Sequence, residues 1–224
     1  MSLSLTFAAI GLFVTAAVAM REHAKAVASR RGLLDSCAGL LSNAVITHGG
    51  DGFPRLKGLH NGRLLHVELL PDTMTIRRLP QLWLKLTLID PRPGLPEFSL
   101  LVRPTGAEFY SLTHNHARML EPPLGVPSEI LAKGDGKSSQ QLLNRVAPVL
   151  RRIFSDPRMK EVAATGKGLR LVWQAGEGDR GHHLLLRQSR FGDASVAREA
   201  LAARLKDFDD LSAAIDTTRE VQAA

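Results

Sequence analysis

The sequence predicts an α+β protein: an N-terminal transmembrane helix followed by an antiparallel-sheet domain with packed helices. Three observations lead to this fold class. Residues 3–20 carry no charged side chain, residues 53–112 contain short strand-like segments separated by turn residues, and residues 138–215 begin and end with helical periodicity. Runs of strands interrupted by few helices favour an antiparallel sheet.

The charge-free N-terminal segment is long enough to cross a bilayer. As a helix, its 18 residues span about 27 Å, close to the roughly 30 Å of a hydrocarbon core. Four basic residues follow within eleven positions, and we call them the juxtamembrane basic cluster: Arg21, Lys25, Arg30 and Arg31. Short flanks rich in Lys and Arg stay on the cytoplasmic side. We therefore expect an uncleaved single-pass anchor in the inner (plasma) membrane, with the C-terminal domain in the cytoplasm and the basic cluster on the anionic lipid surface.

The alternative for the same segment is a signal peptide on an exported protein. Ala17, Val18 and Ala19 form an acceptable cleavage site of the A-x-A type. However, the residues before the apolar stretch contain no Lys or Arg, which a signal peptide would carry there. The basic residues follow the apolar stretch, so the anchor is the favoured interpretation.

These features divide the chain into an anchor (residues 1–20), a basic juxtamembrane segment (21–31) and a globular α+β domain (32–224). One interpretation divides this domain into two halves, at 32–130 and 137–224, and the other keeps it as a single unit.

An internal similarity suggests that the halves are related. Residues 54–57 and 157–160 both read Pro-Arg-apolar-Lys, and each is followed by a strand, a glycine turn and an apolar strand. Self-similarity at a fixed period is the signature of a repeat. Here the number of residues that separates matching segments of the two halves is only nearly constant. A duplicated αβββ unit is therefore one interpretation of the fold, beside a single undivided domain.

In the first half, apolar residues at helical spacing predict an amphipathic helix over residues 33–45. Strands then follow, with Asn61 and Gly62 as the strongest hairpin signal, since both accept positive φ. The predicted strands are 53–59, 63–70, 74–77, 81–89, 98–102 and 108–112. In the segment 81–89, leucine alternates with Gln81, Trp83, Lys85 and Thr87.

The second half opens with a helix whose apolar face runs from Leu142 to Ile153, and Pro148 should kink or divide it. A three-strand meander is predicted at 161–164, 168–174 and 182–188. Asp193 or Ser195 then caps a final helix. Its predicted core face consists of Val196, Leu201, Leu205, Phe208, Leu211 and Ile215.

Composition narrows the expected partners. The net charge of +7 suits anionic lipid head groups as well as nucleic acid, but aromatic residues are only 5% and none interleave with a Lys/Arg run. No nucleic-acid partner is therefore expected. Cys37 is the single cysteine, which excludes an internal disulfide.

Two motifs that could carry chemistry are incomplete. Gly-Asp-Gly-Lys-Ser at 134–138 precedes a predicted helix, but Leu131 stands where a phosphate-binding loop needs glycine. The histidines at 114, 116 and 182–183 lack the further ligands that a zinc site requires, and no spacing links them to a carboxylate pair. We therefore predict no metal site, cofactor or catalytic residue, and a non-enzymatic function is favoured.

Arg77, Arg78 and Trp83 form the most distinctive cluster, and two interpretations remain. Trp83 could belong to a second core layer under a helix. Alternatively, the three residues contact head-group phosphates or an acidic partner, because arginine binds phosphate in a bidentate fork. The favoured function is a membrane-anchored scaffold or adaptor that recruits a protein partner. The alternative is a binding module for a lipid or other small amphiphile in a groove between sheet and helices.

Overall fold

The computed structural model describes residues 3–73, 79–181, 191 and 196–223. Its centre is a nine-stranded sheet in which every pair of neighbouring strands is antiparallel, in the order β1-β2-β3-β4-β9-β8-β5-β7-β6. The strands are β1 (Ser42–His48), β2 (Pro54–His60), β3 (Arg63–Asp72), β4 (Gln81–Ile89), β5 (Phe98–Val102), β6 (Arg118–Met119), β7 (Ile130–Gly134), β8 (Met159–Thr165) and β9 (Gly168–Glu177).

In the part of the chain that the structure describes, four α-helices longer than one turn and two short 3₁₀ helices accompany the sheet. The α-helices are α1 (Leu3–Arg31), α2 (Lys137–Arg145), α3 (Ala147–Ile153) and α4 (Arg198–Ala223), and the 3₁₀ helices are Asp35–Leu40 and Leu112–Asn115. Together with the long apolar N-terminal helix, this arrangement confirms the predicted α+β class.

The alternation along β4 separates two faces of the sheet. The first face carries the leucines of β4, which are fully buried in one core cluster with the apolar sides of α2, α3 and α4. The second face carries Gln81, Trp83, Lys85 and Thr87, and a small separate cluster forms there around Trp83. Among the described residues, α2, α3 and α4 therefore pack on the first face, and the residues around Tyr110 pack on the second.

Several predicted elements are confirmed. Asn61 and Gly62 join β2 to β3 with φ values of 50° and 77°, as a two-residue hairpin turn requires. The helix containing Pro148 is divided into α2 and α3 at Val146, because proline fits the first turn of a helix but not its interior. The predicted core face of α4 is buried throughout.

The predicted helix over residues 33–45 is wrong in its second half. A 3₁₀ helix ends at Leu40, Leu41 is extended, and the chain continues as β1. The run Val45-Ile46-Thr47 is β-branched, which favours a strand. Pairing with β2 supplies the backbone hydrogen bonds that a longer helix would have made.

The predicted strand over 108–112 is also wrong. The carboxylate of Glu108 accepts hydrogen bonds from the backbone amides of Thr105 and Gly106, which closes a tight turn. Ser111 then caps the second 3₁₀ helix by accepting from the Thr113 amide. Short polar side chains compete locally for backbone groups in this way, and alternation of apolar residues does not reveal it.

The proposed repeat stays a prediction. Both similar segments lead into hairpins, β2–β3 and β8–β9, but one sheet includes strands of both halves, with β4 paired to β9. The predicted strands 74–77 and 182–188 and the predicted caps Asp193 and Ser195 lie outside the described residues.

Candidate functional site

The last turns of α1 are fixed to the turn between β1 and β2. The Arg30 guanidinium donates to the carbonyl of Asp51 at 3.1 Å and lies 4.9 Å from the ring centroid of Phe53. Gly52, at φ 78°, approaches Val27 so closely that a Cβ atom would lie 2.7 Å from the Val27 methyl. The domain is therefore joined to α1 by a close contact in addition to the chain itself.

Upstream of this contact, α1 is free of the domain. An 18-residue window of this region has a mean hydropathy of 1.3, and none of it is buried. Its apolar side chains are exposed, including Phe7, Ile10, Leu12, Phe13, Val14, Val18 and Met20. This is the one helix of the described residues that is long and apolar enough to cross a membrane, and a signal sequence near the N-terminus would have the same properties.

The juxtamembrane basic cluster lies on α1, which continues as one helix past Met20 to Arg31. Arg21, Lys25 and Arg31 are exposed, whereas Arg30 is half-buried against the domain. Lys25 pairs with Glu22 at 2.9 Å, which offsets part of its charge. The four residues thus differ in how much positive charge they present to solvent.

Pairing registers place several segments at the same end of the sheet as the α1 contact. Arg55, which follows the β1–β2 turn, pairs with Glu68. At the same end of the sheet, Gln81 at the start of β4 pairs with Asp72 of β3 and with Glu177 of β9. β5 ends and β8 begins at this same end, which places Arg103 and Arg158 there. We call this end of the sheet, from residues 49–53 across to Arg103 and Arg158, the anchor end.

A pocket of about 840 Å³ opens on the second face at the anchor end. Trp83 and Leu131 supply apolar lining, and residues 103–105, 128–130 and 157–158 form other walls. Arg103 donates to the carbonyl of Pro157 at 2.9 Å, and the Arg158 guanidinium lies 4.4 Å from the ring centroid of Trp173. The pocket therefore combines apolar lining with two positioned, exposed guanidinium groups.

Below these walls, an ion pair is almost completely buried. Lys160 donates to the carboxylate of Glu108 at 3.0 Å, and each side chain is 3% exposed. Lys160 also donates to the carbonyls of Val102 and Arg103, at 2.8 Å and 2.7 Å. Burial alone would raise the pKa of Glu108, but hydrogen bonds from Lys160 and Thr105 outweigh it and lower the pKa to about 2.

A second buried carboxylate, Glu161, fastens residues 103–116 to the sheet. Its Oε1 accepts from the hydroxyls of Ser111 at 2.6 Å and Ser99 at 3.0 Å and from the Leu112 amide at 2.7 Å. Among the described residues its other oxygen, Oε2, has no hydrogen-bond partner. Burial raises the pKa of Glu161, and these hydrogen bonds offset only part of that effect.

The predicted contact cluster is described only in part. Trp83 is 5% exposed and packs against Tyr110 with ring centroids 5.8 Å apart, so it lies in a second apolar layer. The cover over this layer is the segment 103–116, which contains the short 3₁₀ helix Leu112–Asn115, and not an α-helix as expected. Arg77 and Arg78 lie outside the described residues, so their contact with head groups or a partner stays a prediction.

The structure brings carboxylates to one of the histidines that sequence spacing leaves isolated. Atoms of Glu97, His116 and Asp135 lie within 4.8 Å of one another, with His116 Nδ1 3.0 Å from Asp135. Their separation by 19 residues or more in sequence conceals this grouping. The Gly-Asp-Gly-Lys-Ser segment begins at the last residue of the short strand β7 and leads into α2. Residues 182–183 are outside the described part of the chain.

Sequence reasoning did not find the pocket or the two buried carboxylates. Glu108 and Glu161 fall in segments without a motif, and only the fold brings Lys160, Ser111 and Ser99 to them. No protein-family model matches the chain, and no curated protein and no solved structure is significantly similar to it.

Proposed function

We propose that this chain is a single-pass membrane protein whose α+β domain serves as a scaffold or adaptor at the cytoplasmic surface of the membrane. The observation that supports this proposal is the division of α1. Its apolar part is unburied, whereas its last turns are packed against the β1–β2 turn. An unburied apolar segment of this length is stable in a bilayer and costly in water.

The contact with the β1–β2 turn also bears on orientation. A flexible tether would leave the domain free to rotate, but Gly52 packed on Val27 restricts α1 relative to the sheet. The anchor end of the sheet then faces the bilayer, with the juxtamembrane basic cluster between them. A protein partner recruited by the scaffold would bind the faces that point away from the membrane.

Membrane attachment is tested by alkaline extraction of membranes from cells that produce the full chain. The wild type should remain in the membrane pellet, and replacing Leu12 and Phe13 with Arg should release it. Each Arg at a helix centre costs about 2.5–3.5 kcal/mol of insertion free energy. Val45→Arg, at another exposed apolar position, is the matched control and should leave the protein in the pellet.

Topology is tested separately with a reporter that is active only outside the cytoplasm, fused after Ala224. The reporter should be inactive, because Lys- and Arg-rich flanks stay in the cytoplasm. Strong reporter activity would overturn the cytoplasmic orientation. A purified protein whose first residue is Met20 would instead identify residues 1–19 as a signal peptide.

A second candidate function is the binding of a lipid or other small amphiphile, and the pocket on the second face favours it. Its volume of about 840 Å³ lies within the range of small-molecule sites, and its lining is part apolar and part cationic. This pocket lies on the face opposite α2, α3 and α4, not in the groove between sheet and helices that the sequence suggested.

A further inference from the structure

The pocket and the α1 contact share one end of the sheet, and this placement suggests the source of a ligand. The α1 contact is made by the turn beside β1, and the pocket extends from β4 across β9 and β8. With strands about 4.8 Å apart, β4 lies roughly 14 Å and β8 roughly 24 Å from β1 along the sheet. If α1 is embedded in a bilayer, as proposed above, the pocket opens toward the head-group layer.

The charges at the mouth of the pocket select for an anion. Arg103 and Arg158 are exposed there, and Glu129 is the carboxylate among the described lining residues. Lys160 is also a lining residue, but its charge is opposed by Glu108 at 3.0 Å. Arg158 Nε also lies 3.9 Å from Asp156, whose carboxylate pairs with Arg204 at 3.0 Å. The two guanidinium groups outnumber the Glu129 carboxylate, so the mouth keeps a net positive charge.

Both guanidinium groups are held in position. Arg103 donates through one Nη atom to the carbonyl of Pro157, the residue next to Arg158. Arg158 lies over the ring of Trp173. A guanidinium has five donors in a rigid fork that matches phosphate oxygens, so positioned arginines favour a phosphate over a simple carboxylate or a neutral group.

We propose that this pocket binds the phosphate head group of an anionic membrane phospholipid, with Arg103 and Arg158 contacting the phosphate. The apolar surface of Trp83, Ile130 and Leu131 lies beside the glycerol and the first methylene groups of the lipid. This inference rests on the proposed membrane attachment, which supplies the lipid at high local concentration. Membrane attachment by α1 does not need the pocket, so lipid binding there is a separate role for the domain.

The test is calorimetric titration of the full-length protein in a non-ionic detergent with short-chain lipids. Dihexanoyl phosphatidic acid should bind saturably, and dihexanoyl phosphatidylcholine should bind at least about tenfold more weakly because its head group carries no net charge. Replacing Arg103 and Arg158 with Gln should weaken phosphatidic acid binding by about tenfold or more, since each charge-assisted hydrogen bond contributes on this scale.

Arg55 and Lys57 provide the matched control. They are two exposed cations on β2, away from the pocket lining, and replacing both with Gln removes the same charge. Binding should be unchanged in this control. An equal loss in both double variants would overturn the proposal, because it would mean that general charge attraction and not the pocket holds the lipid.

Inorganic phosphate and glycerol phosphate identify the source of the phosphate. If either binds as tightly as the dihexanoyl lipid, the site is for a soluble phosphate and the lipid proposal is overturned. Arg158→Gln alone is the second variant, in case loss of the Arg103 contact alters the fold, and it should also weaken binding. Alkaline extraction of the double variant should still leave it in the membrane, so failure of the pocket and failure of the anchor are distinguishable.

Discussion

Replacing Glu108 with Gln tests how much the buried ion pair stabilises the fold. The side chains of Glu108 and Lys160 are each 3% exposed, and hydrogen bonds lower the pKa of Glu108 from 4.5 to about 2 in spite of burial. One pKa unit corresponds to about 1.4 kcal/mol, so the ionised carboxylate contributes about 3 kcal/mol to the free energy of unfolding at neutral pH.

The sign of the pH dependence follows from the direction of the shift. Because the pKa of Glu108 is lowered in the folded state, its contribution is fully present above pH 4.5. It is lost as pH falls from 4.5 toward 2. Glutamine cannot ionise, so at pH 7 the variant should be less stable than the wild type by about 3 kcal/mol. The difference between the two proteins should shrink over the same acidic range.

Urea denaturation of the full-length protein in non-ionic detergent, followed by tryptophan fluorescence, measures this difference. Trp83 is a suitable probe because its ring centroid lies 5.8 Å from Lys160 Nζ. The matched control is Glu129→Gln, an exposed carboxylate in the same pocket, which should change stability by no more than about 0.5 kcal/mol. A difference for Glu108→Gln that stays constant between pH 7 and pH 2 would refute the reasoning.

Three further predictions concern the basic cluster, the hairpin and the second buried carboxylate. In the fragment 21–224, replacing the exposed residues Arg21, Lys25 and Arg31 with Gln should weaken binding to anionic vesicles by up to about 3 kcal/mol. Co-sedimentation at low salt measures this loss, and neither the fragment nor its variant should bind neutral vesicles. Gly62→Val should lower the free energy of unfolding by about 1–2 kcal/mol because φ is positive there, whereas Gly50→Val, at a glycine with equally open space and no positive φ, should cost less. The pKa of Glu161 is raised, so its ionisation lowers the free energy of unfolding as pH rises above 4.5. In urea denaturation, Glu161→Gln should make this decline with pH shallower, and an equally steep decline in the variant would contradict the prediction.

Elements with strong periodicity or unambiguous turn chemistry could be predicted from the sequence. The strand Gln81–Ile89 has the predicted bounds, because a leucine at every second position leaves one register for burial. The hairpin at Asn61-Gly62 and the break at Pro148 follow from backbone restrictions of single residues. In each case local chemistry and tertiary packing favour the same conformation.

Other elements depend on contacts that are distant in sequence. Leucine and alanine spacing over residues 33–45 suits a helix, but the second half of that segment lies at the edge of the sheet, where β2 offers backbone partners. Glu108 lies in a segment of alternating burial, yet the amides of Thr105 and Gly106 and the amine of Lys160 hold it in a turn. The pocket residues come from five segments between residues 81 and 174, so no motif could predict them.

The buried ion pair and the pocket are physically coupled, which determines how each can be tested. Lys160 donates to the Arg103 carbonyl as well as to Glu108, and Arg103 itself has a positive φ of 47°. A non-glycine residue in that conformation is strained, so the contacts around its backbone must hold it there. Changing Glu108 or Lys160 would therefore disturb both the stability of the fold and the position of the Arg103 guanidinium. Substitutions at the side chains of Arg103 and Arg158 leave the ion pair in place, and for this reason they can separate a loss of binding from a loss of structure.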